Sequence, residues 1–199
     1  MILSEWPTKK YSSILADPPW HFSTWGERPW WHRAEDVDLS KSRVADRHYK
    51  TMKVEGIKEL PVSEVAADDC MLFLWATYPT LLDAIATLEA WGFKYKTVAF
   101  TWAKTTKNGK WHCGLGYYTR ANPEICLLGT RGKPKRVSKA VRNLVVSQVR
   151  EHSRKPDEVR ASIEQLVTGP YLELFSRTDY AGWDVWGLEA GKYAQEADL

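Results

Sequence analysis

Three observations predict an α/β domain with a mostly parallel sheet. Strand-like runs alternate with a helix or a long crossover, and repeats and low-complexity tracts are absent. The third is Cys70 to Ala76 (CMLFLWA), a run that is apolar without alternation. A strand of that kind is covered on both faces, as in parallel sheets, so it reads as central.

Taken in order, residues 1 to 10 read as a short polar lead-in. The apolar run from Ser12 to Ala16 is a buried strand that must stop at Asp17, because Pro18 and Pro19 lack N–H donors and fix φ. Residues 21 to 54 show no clear periodicity and are dense in Trp, Arg and Tyr; loops this long tend to be functional. After the central strand, apolar residues at Leu81, Leu82, Ile85, Leu88 and Trp91, followed by Gly92, predict an amphipathic helix over 79–91 with a glycine stop. Tyr95 to Ala103 is β-branched and aromatic, hence a strand. Residues 104 to 123 form a polar loop carrying Trp111, Tyr117, Tyr118 and Arg120, and Glu124 to Thr130 returns as a strand. Leu144 to Val149 reads as a short strand. Ser153 to Glu158 then marks a helix start, with Pro156 in the first turn and acids against the positive dipole end. Val159, Ile163, Leu166 and Val167 are its buried stripe, and Gly169-Pro170 stops it. Tyr171 to Ser176 is a further strand, and the block Gly182 to Gly187 precedes a frayed tail.

A length of 199 residues suits a single domain over 1–199 with one sizeable core and no separate target-recognition domain. Eleven Trp and nine Tyr exceed ordinary core needs, so aromatics in polar loops invite a stacking role. Cys70, Cys113 and Cys126 are odd in number and form no CxxC pair, and the five histidines show no i,i+4 pairing. A disulfide framework and a metal site are therefore not expected. No apolar run reaches spanning length and no signal-type segment opens the chain, so the expected location is cytoplasmic, or the host cytoplasm for a phage-encoded chain. The net charge is only +3, yet residues 131 to 160 hold ten Lys or Arg against three acids, which points to an anionic polymer. Arg28, Trp30, Arg33, Arg120, Lys133, Lys135 and Arg136 are the candidate nucleic-acid contacts.

The strand-end turn Asp17-Pro18-Pro19-Trp20 carries the chemistry. Ligands of open α/β sheets bind at strand ends. A carboxylate accepts hydrogen bonds from an amino group, a prolyl carbonyl accepts another, and an indole offers a flat face. The combination suits a flat ring bearing an amino group.

These landmarks occur in a family order. Asp17 to Trp20, Phe73-Leu74-Trp75, Thr101 to Lys104, Thr130 to Pro134, His152 to Glu158, Glu173 to Arg177 and Gly182 to Gly187 together resemble the DPPW-type adenine methyltransferases of the MT-A-seventy group, over roughly residues 12 to 189. That resemblance implies a Rossmann-like, S-adenosylmethionine-dependent methyltransferase sheet with a circularly permuted motif order, the catalytic strand first and the cofactor strand last. The only GxG, Gly114-Leu115-Gly116, follows no strand and is given no cofactor role.

By the resemblance, Asp17 and the Pro18 carbonyl receive the amino protons of adenine, with Pro19 completing the turn. Trp20 stacks on the base, which must leave any duplex, and Tyr49 closes over it. S-adenosylmethionine lies against Asp17, Lys155, Glu173, Phe175, Arg177, Leu188 and Glu189, and no metal is implied. Many relatives have asparagine where this chain has Leu188, which removes a ribose contact and leaves Glu189 or backbone to replace it. The first reading is methyl transfer to adenine in DNA. The alternatives are the same reaction on RNA, or a non-catalytic nucleic-acid-binding subunit. A homodimer or a partner subunit would supply footprint that so short a chain lacks.

Overall fold

A computed structural model describes residues 2–3, 5–21, 51–150 and 154–192. The elements in chain order are β1 (Ile2–Leu3), β2 (Tyr11–Ala16), α1 (Val54–Lys58), α2 (Val62–Val65), β3 (Ala66–Ala76), α3 (Leu81–Ala90), β4 (Lys94–Thr105), β5 (Glu124–Arg131), β6 (Leu144–Gln148), α4 (Glu158–Leu166), β7 (Tyr171–Leu174) and β8 (Trp183–Trp186). The strands form one sheet in the order β1-β8-β7-β2-β3-β5-β4-β6. Every pairing is parallel except those of β5 with β3 and β4, so β5 alone runs against the rest. This is the Rossmann-like, mostly parallel sheet expected, with the Asp17-bearing strand β2 early and β7 late.

Alternation along β3 distributes the core to both faces. Leu72 and Leu74 join Ile14, Leu127, Ala84 and Leu88 on the side of α1 and α3. Phe73 and Trp75 join Leu15, Phe100, Val159 and Ile163 on the side of α4. Close packing of α3 requires Gly129 in β5, where a Cβ would lie 2.7 Å from Leu88 Cδ1. From β2 the chain moves to β3 on one side, and from β7 it moves to β8 on the other. Chain order therefore reverses between β2 and β7, and the crevice beyond their carboxyl ends is the topological switch point where such sheets bind ligands.

Several boundaries differ from the sequence reading. Residues 2–3, within the expected lead-in, pair with β8. Helix α3 is preceded by a 3₁₀ turn, Tyr78–Thr80, closed by a Thr77–Thr80 capping box. Its buried stripe is Ala84, Thr87 and Leu88, while Leu82 is 79% exposed. Gly92 stops it with φ 84°. Strand β7 ends at Leu174 rather than Ser176, because Phe175 turns into the left-handed region with φ 63°. Among the described residues no helix is long and apolar enough to cross a membrane.

Candidate active site

The Asp17 turn stands at the switch point. Its backbone N–H donates to the Leu174 carbonyl at 3.4 Å, which ties the end of β2 to the end of β7. The Trp20 N–H donates to the Pro18 carbonyl at 2.8 Å, and the Met52 N–H to the Pro19 carbonyl at 2.9 Å. A carbonyl has two lone pairs, so Pro18 still has one to offer a ligand. The turn is held from below by Trp20, and here the structure corrects the sequence reading. Expected as a stacking face for a base, the indole is only 6% exposed, lies in the core, and donates its Nε1–H to the Trp75 carbonyl at 2.9 Å. The physical reason is the double proline, which folds the chain back so that residue 20 enters the sheet's covered side. Trp20 anchors the turn.

Four charges alternate across the mouth of the site. Lys155 Nζ lies 2.8 Å from Asp17 Oδ2 and 3.3 Å from Glu124 Oε2, and Lys104 Nζ bonds the other Glu124 oxygen. Each ammonium rests over an indole, Lys155 over Trp75 at 5.5 Å and Lys104 over Trp102 at 5.0 Å. Burial would push the Glu124 carboxyl up, but Lys155 and Lys104 outweigh it and hold the group below the usual carboxylate range. Cys126, on the same strand, is pushed well above the ordinary thiol range by burial and then by the charge of Asp17. Glu124 and Lys104 were missed as site residues. The available signal was an acid opening the apolar run Ile125 to Leu128, which is costly to bury without cations beside it.

Lys155 is itself fixed by its neighbours. Arg150 donates to the Lys155 carbonyl at 2.6 Å and to Asp157 Oδ2 at 2.7 Å. Asp157 also pairs with Arg154 and Arg160, at 3.4 and 2.7 Å. Burial opposes the charge on Asp157, and Arg150, Arg160 and Arg154 together hold its carboxyl below the usual range. Arg160 is buried and forks onto Glu173 with bonds of 2.6 and 2.7 Å. Both Glu173 oxygens thus accept from protein, and any cofactor contact must use their remaining lone pairs. Glu173 lies in β7, whereas Arg177 lies beyond its end at Leu174, so the two share no strand face.

At the ends of β7 and β8, the Phe175 N–H donates to the Trp186 carbonyl at 2.6 Å. Gly187 lets the loops after β7 and β8 touch, since a Cβ there would lie 2.9 Å from the Ser176 carbonyl oxygen. Arg177 is half-buried in the first of these loops. Leu188 is 97% exposed, and Glu189 pairs with Lys192.

The candidate nucleic-acid residues separate into two groups. Arg120 lies on the loop joining β4 to β5, which leaves the sheet at the Asp17 end together with exposed Trp111, Leu115 and Tyr118. Residues 105 to 123 contain no acid, and Lys107, Lys110 and Arg120 are exposed. Lys133, Lys135 and Arg136 are also exposed, but they follow β5, whose last residue Arg131 pairs with Cys70 near the start of β3. They therefore lie at the amino end of the sheet, about 15 Å or more along the strands from Asp17. Arg150, Arg154, Lys155 and Arg160, the remainder of the basic run's carboxyl half, are held in the ion pairs above. Tyr49, Arg28, Trp30 and Arg33 lie outside the described residues. Among the described residues no group of three His, Cys, Asp or Glu could hold a metal ion.

The geometry can be set beside known proteins. The MT-A70 family model matches residues 11–189. The chain is 36% identical over 201 residues to the type II methyltransferase M.MunI of a Mycoplasma species, covering 94% of this chain and 81% of that protein. It is 30% identical to a putative MT-A70-like N(6)-adenosine-methyltransferase of Medicago truncatula, covering 87% of this chain and 25% of the relative. With the N(6)-adenosine-methyltransferase catalytic subunit METTL3 of Homo sapiens it shares 27% identity, over 84% of this chain and 26% of that protein. The match spans most of M.MunI but only about a quarter of the two adenosine methyltransferases.

Proposed function

The chain belongs to the MT-A70 family, and on that premise we propose that it is an S-adenosylmethionine-dependent methyltransferase acting on the exocyclic amino nitrogen of adenine in DNA. The observation that carries the reading is the acceptor pair of Asp17 and the Pro18 carbonyl at the switch point, with one Asp17 oxygen held by Lys155. An adenine amino nitrogen is a poor nucleophile because its lone pair is delocalised into the ring. Asp17 Oδ1 and the free lone pair of the Pro18 carbonyl accept hydrogen bonds from its two N–H groups and favour a pyramidal nitrogen with the lone pair directed outward, and once the nitrogen has taken the methyl it sheds one of those protons toward Asp17. Alignment then matters more than acid or base strength.

When bound, S-adenosylmethionine supplies an electrophilic methyl group on a sulfonium that departs as a neutral thioether. The polar and aromatic groups bordering the ends of β2, β7 and β8 suit it. Lys155 would hold the methionine carboxylate, Arg177 and Glu189 the ribose hydroxyls, and Phe175 would pack beside the adenosine. Glu173 serves the site chiefly by holding Arg160.

The extensive match to M.MunI favours DNA. The relatives named for N(6)-adenosine favour the alternative, the same reaction on RNA. The aromatic, acid-free loop between β4 and β5 is the nucleic-acid face nearest the acceptors, with stacking from Trp111 and Tyr118 and phosphate contact from Lys107, Lys110 and Arg120. A homodimer or partner subunit would extend it. The test is radiolabelled methyl transfer to matched DNA and RNA oligonucleotides, with Asp17→Ala as control. Transfer to DNA that Asp17→Ala abolishes supports the reading, transfer to RNA alone favours the alternative, and tight binding without transfer overturns both.

A further inference from the structure

We infer that Glu124 is a positioning residue for the acceptor Asp17, acting through the Lys155 ammonium that the two carboxylates share. The inference rests on the proposed role of Asp17 as receiver of the amino protons. Its basis is geometric. Lys155 Nζ sits 2.8 Å from Asp17 and 3.3 Å from Glu124, and Lys104 engages the other Glu124 oxygen. The side chains of Lys104, Glu124 and Lys155 are 16%, 10% and 13% exposed, so water does little to screen them.

Glu124 enters this row from the first residue of β5, beside Trp102 of β4 in the ladder, so the sheet fixes its backbone. Trp75 and Trp102 stand edge to face at 6.5 Å and form a floor under both ammonium groups. A lone ammonium beside Asp17 would be drawn fully onto that carboxylate and would compete with the substrate's amino group for both oxygens. With Glu124 on its other flank, Lys155 is divided between two acids. It takes Asp17 Oδ2 and leaves Oδ1 facing the ligand. Arg150 fixes the Lys155 backbone at 2.6 Å, so the ammonium is set by the row and not by drift of the loop. Glu124 touches neither substrate nor cofactor in this account.

The experiment is steady-state kinetics of Glu124→Gln, an isostere that keeps the shape and removes the charge, with Lys104→Met as a second variant that unties only one Glu124 oxygen. Circular dichroism and melting temperature establish folding. The expected result for Glu124→Gln is a fall in kcat of at least tenfold with KM for the oligonucleotide changed less than about threefold. Lys104→Met should lower kcat in the same direction and by less, and it decides the matter if Glu124→Gln does not fold. Wild-type kcat in a folded Glu124→Gln, or a loss that appears only in KM for the oligonucleotide, overturns the inference. Asp17→Ala separates the two levels: activity surviving in Asp17→Ala refutes the proposed acceptor, whereas a dead Asp17→Ala beside an unaffected Glu124→Gln refutes only the role of Glu124.

Discussion

Replacing Arg160 by methionine is the sharpest test of how the site is held. In the wild-type protein its guanidinium makes two bonds of 2.6 and 2.7 Å to Glu173, and both side chains are 7% exposed. Burial works against the guanidinium, but Glu173, and then Asp157, more than compensate and keep it charged. Methionine fills similar space and leaves the Glu173 carboxylate buried without its fork. Breaking a buried pair from one side costs about 3–5 kcal/mol. With a urea m-value of about 2 kcal/mol/M, the unfolding midpoint should fall by about 2 M. The double variant Arg160→Met, Glu173→Leu removes both charges together and should recover at least about half of that loss, since an apolar pair of similar volume is often as stable as the ions it replaces. Equilibrium urea unfolding followed by tryptophan fluorescence reads all three proteins. A single-variant loss under about 1 kcal/mol, or a double variant that loses as much as Arg160→Met alone, would refute the reasoning.

Four further outcomes are expected. The carboxyls of Glu124 and Asp157 are held below their ordinary values, so the stability they contribute is present above the unfolded carboxylate range and is lost as pH falls through their folded values; acid unfolding of Glu124→Gln and Asp157→Asn should accordingly be less steep than in the wild type. Cys113 is exposed, Cys70 is buried with its thiol pushed up to about 12, and Cys126 is buried with its thiol held well above the ordinary range by burial and the charge of Asp17. A disulfide-exchange reagent at pH 8 should therefore titrate one fast thiol in the native protein and three in urea. Leu188→Asn, at a position 97% exposed and so free of core cost, should tighten S-adenosylmethionine binding; equal or poorer affinity by calorimetry rules this out. Finally, Lys107→Ala with Arg120→Ala should flatten the salt dependence of DNA binding by about two units of slope, and Lys135→Ala with Arg136→Ala by less, because only the first pair lies at the Asp17 end of the sheet. Equal slopes for the two double variants would count against that division.

The parts of the site legible in the sequence were those whose information is local. Two prolines after an apolar run stop a strand wherever it lies, so the acceptor turn was readable at Asp17 without any fold. The antiparallel position of β5 and the two-residue β1 were not, since neither leaves a periodic trace. Charge is less legible for a different reason. Residues 150 to 160 look like one side of a solvated basic face, yet Arg150, Arg154 and Arg160 converge on Asp157 and Glu173, the last of these on another element. Composition counts charges but does not say which point inward. The row from Lys104 to Asp17 spans more than a hundred residues of chain, and only the sheet order brings its members together. Trp20 shows the limit from the other side: an indole beside a ligand-binding turn can serve as a platform or as a wedge, and only burial distinguishes them.

The edge strand β1 has a consequence for how such a site can be encoded. Ile2 pairs with Val185, and a Cβ on Gly191 would lie 2.8 Å from Ile2 Cδ1, so residues near position 2 and near position 191 are spatial neighbours. A short tether between those neighbours would close the polypeptide into a ring without moving any strand, and a cut in an exposed connection such as residues 132–143 would reopen it. The resulting gene would read its cofactor strand before its acceptor strand while building the same crevice between β2 and β7. Linear order is thus a removable property of this architecture, and adjacency in the sheet is the one that chemistry requires.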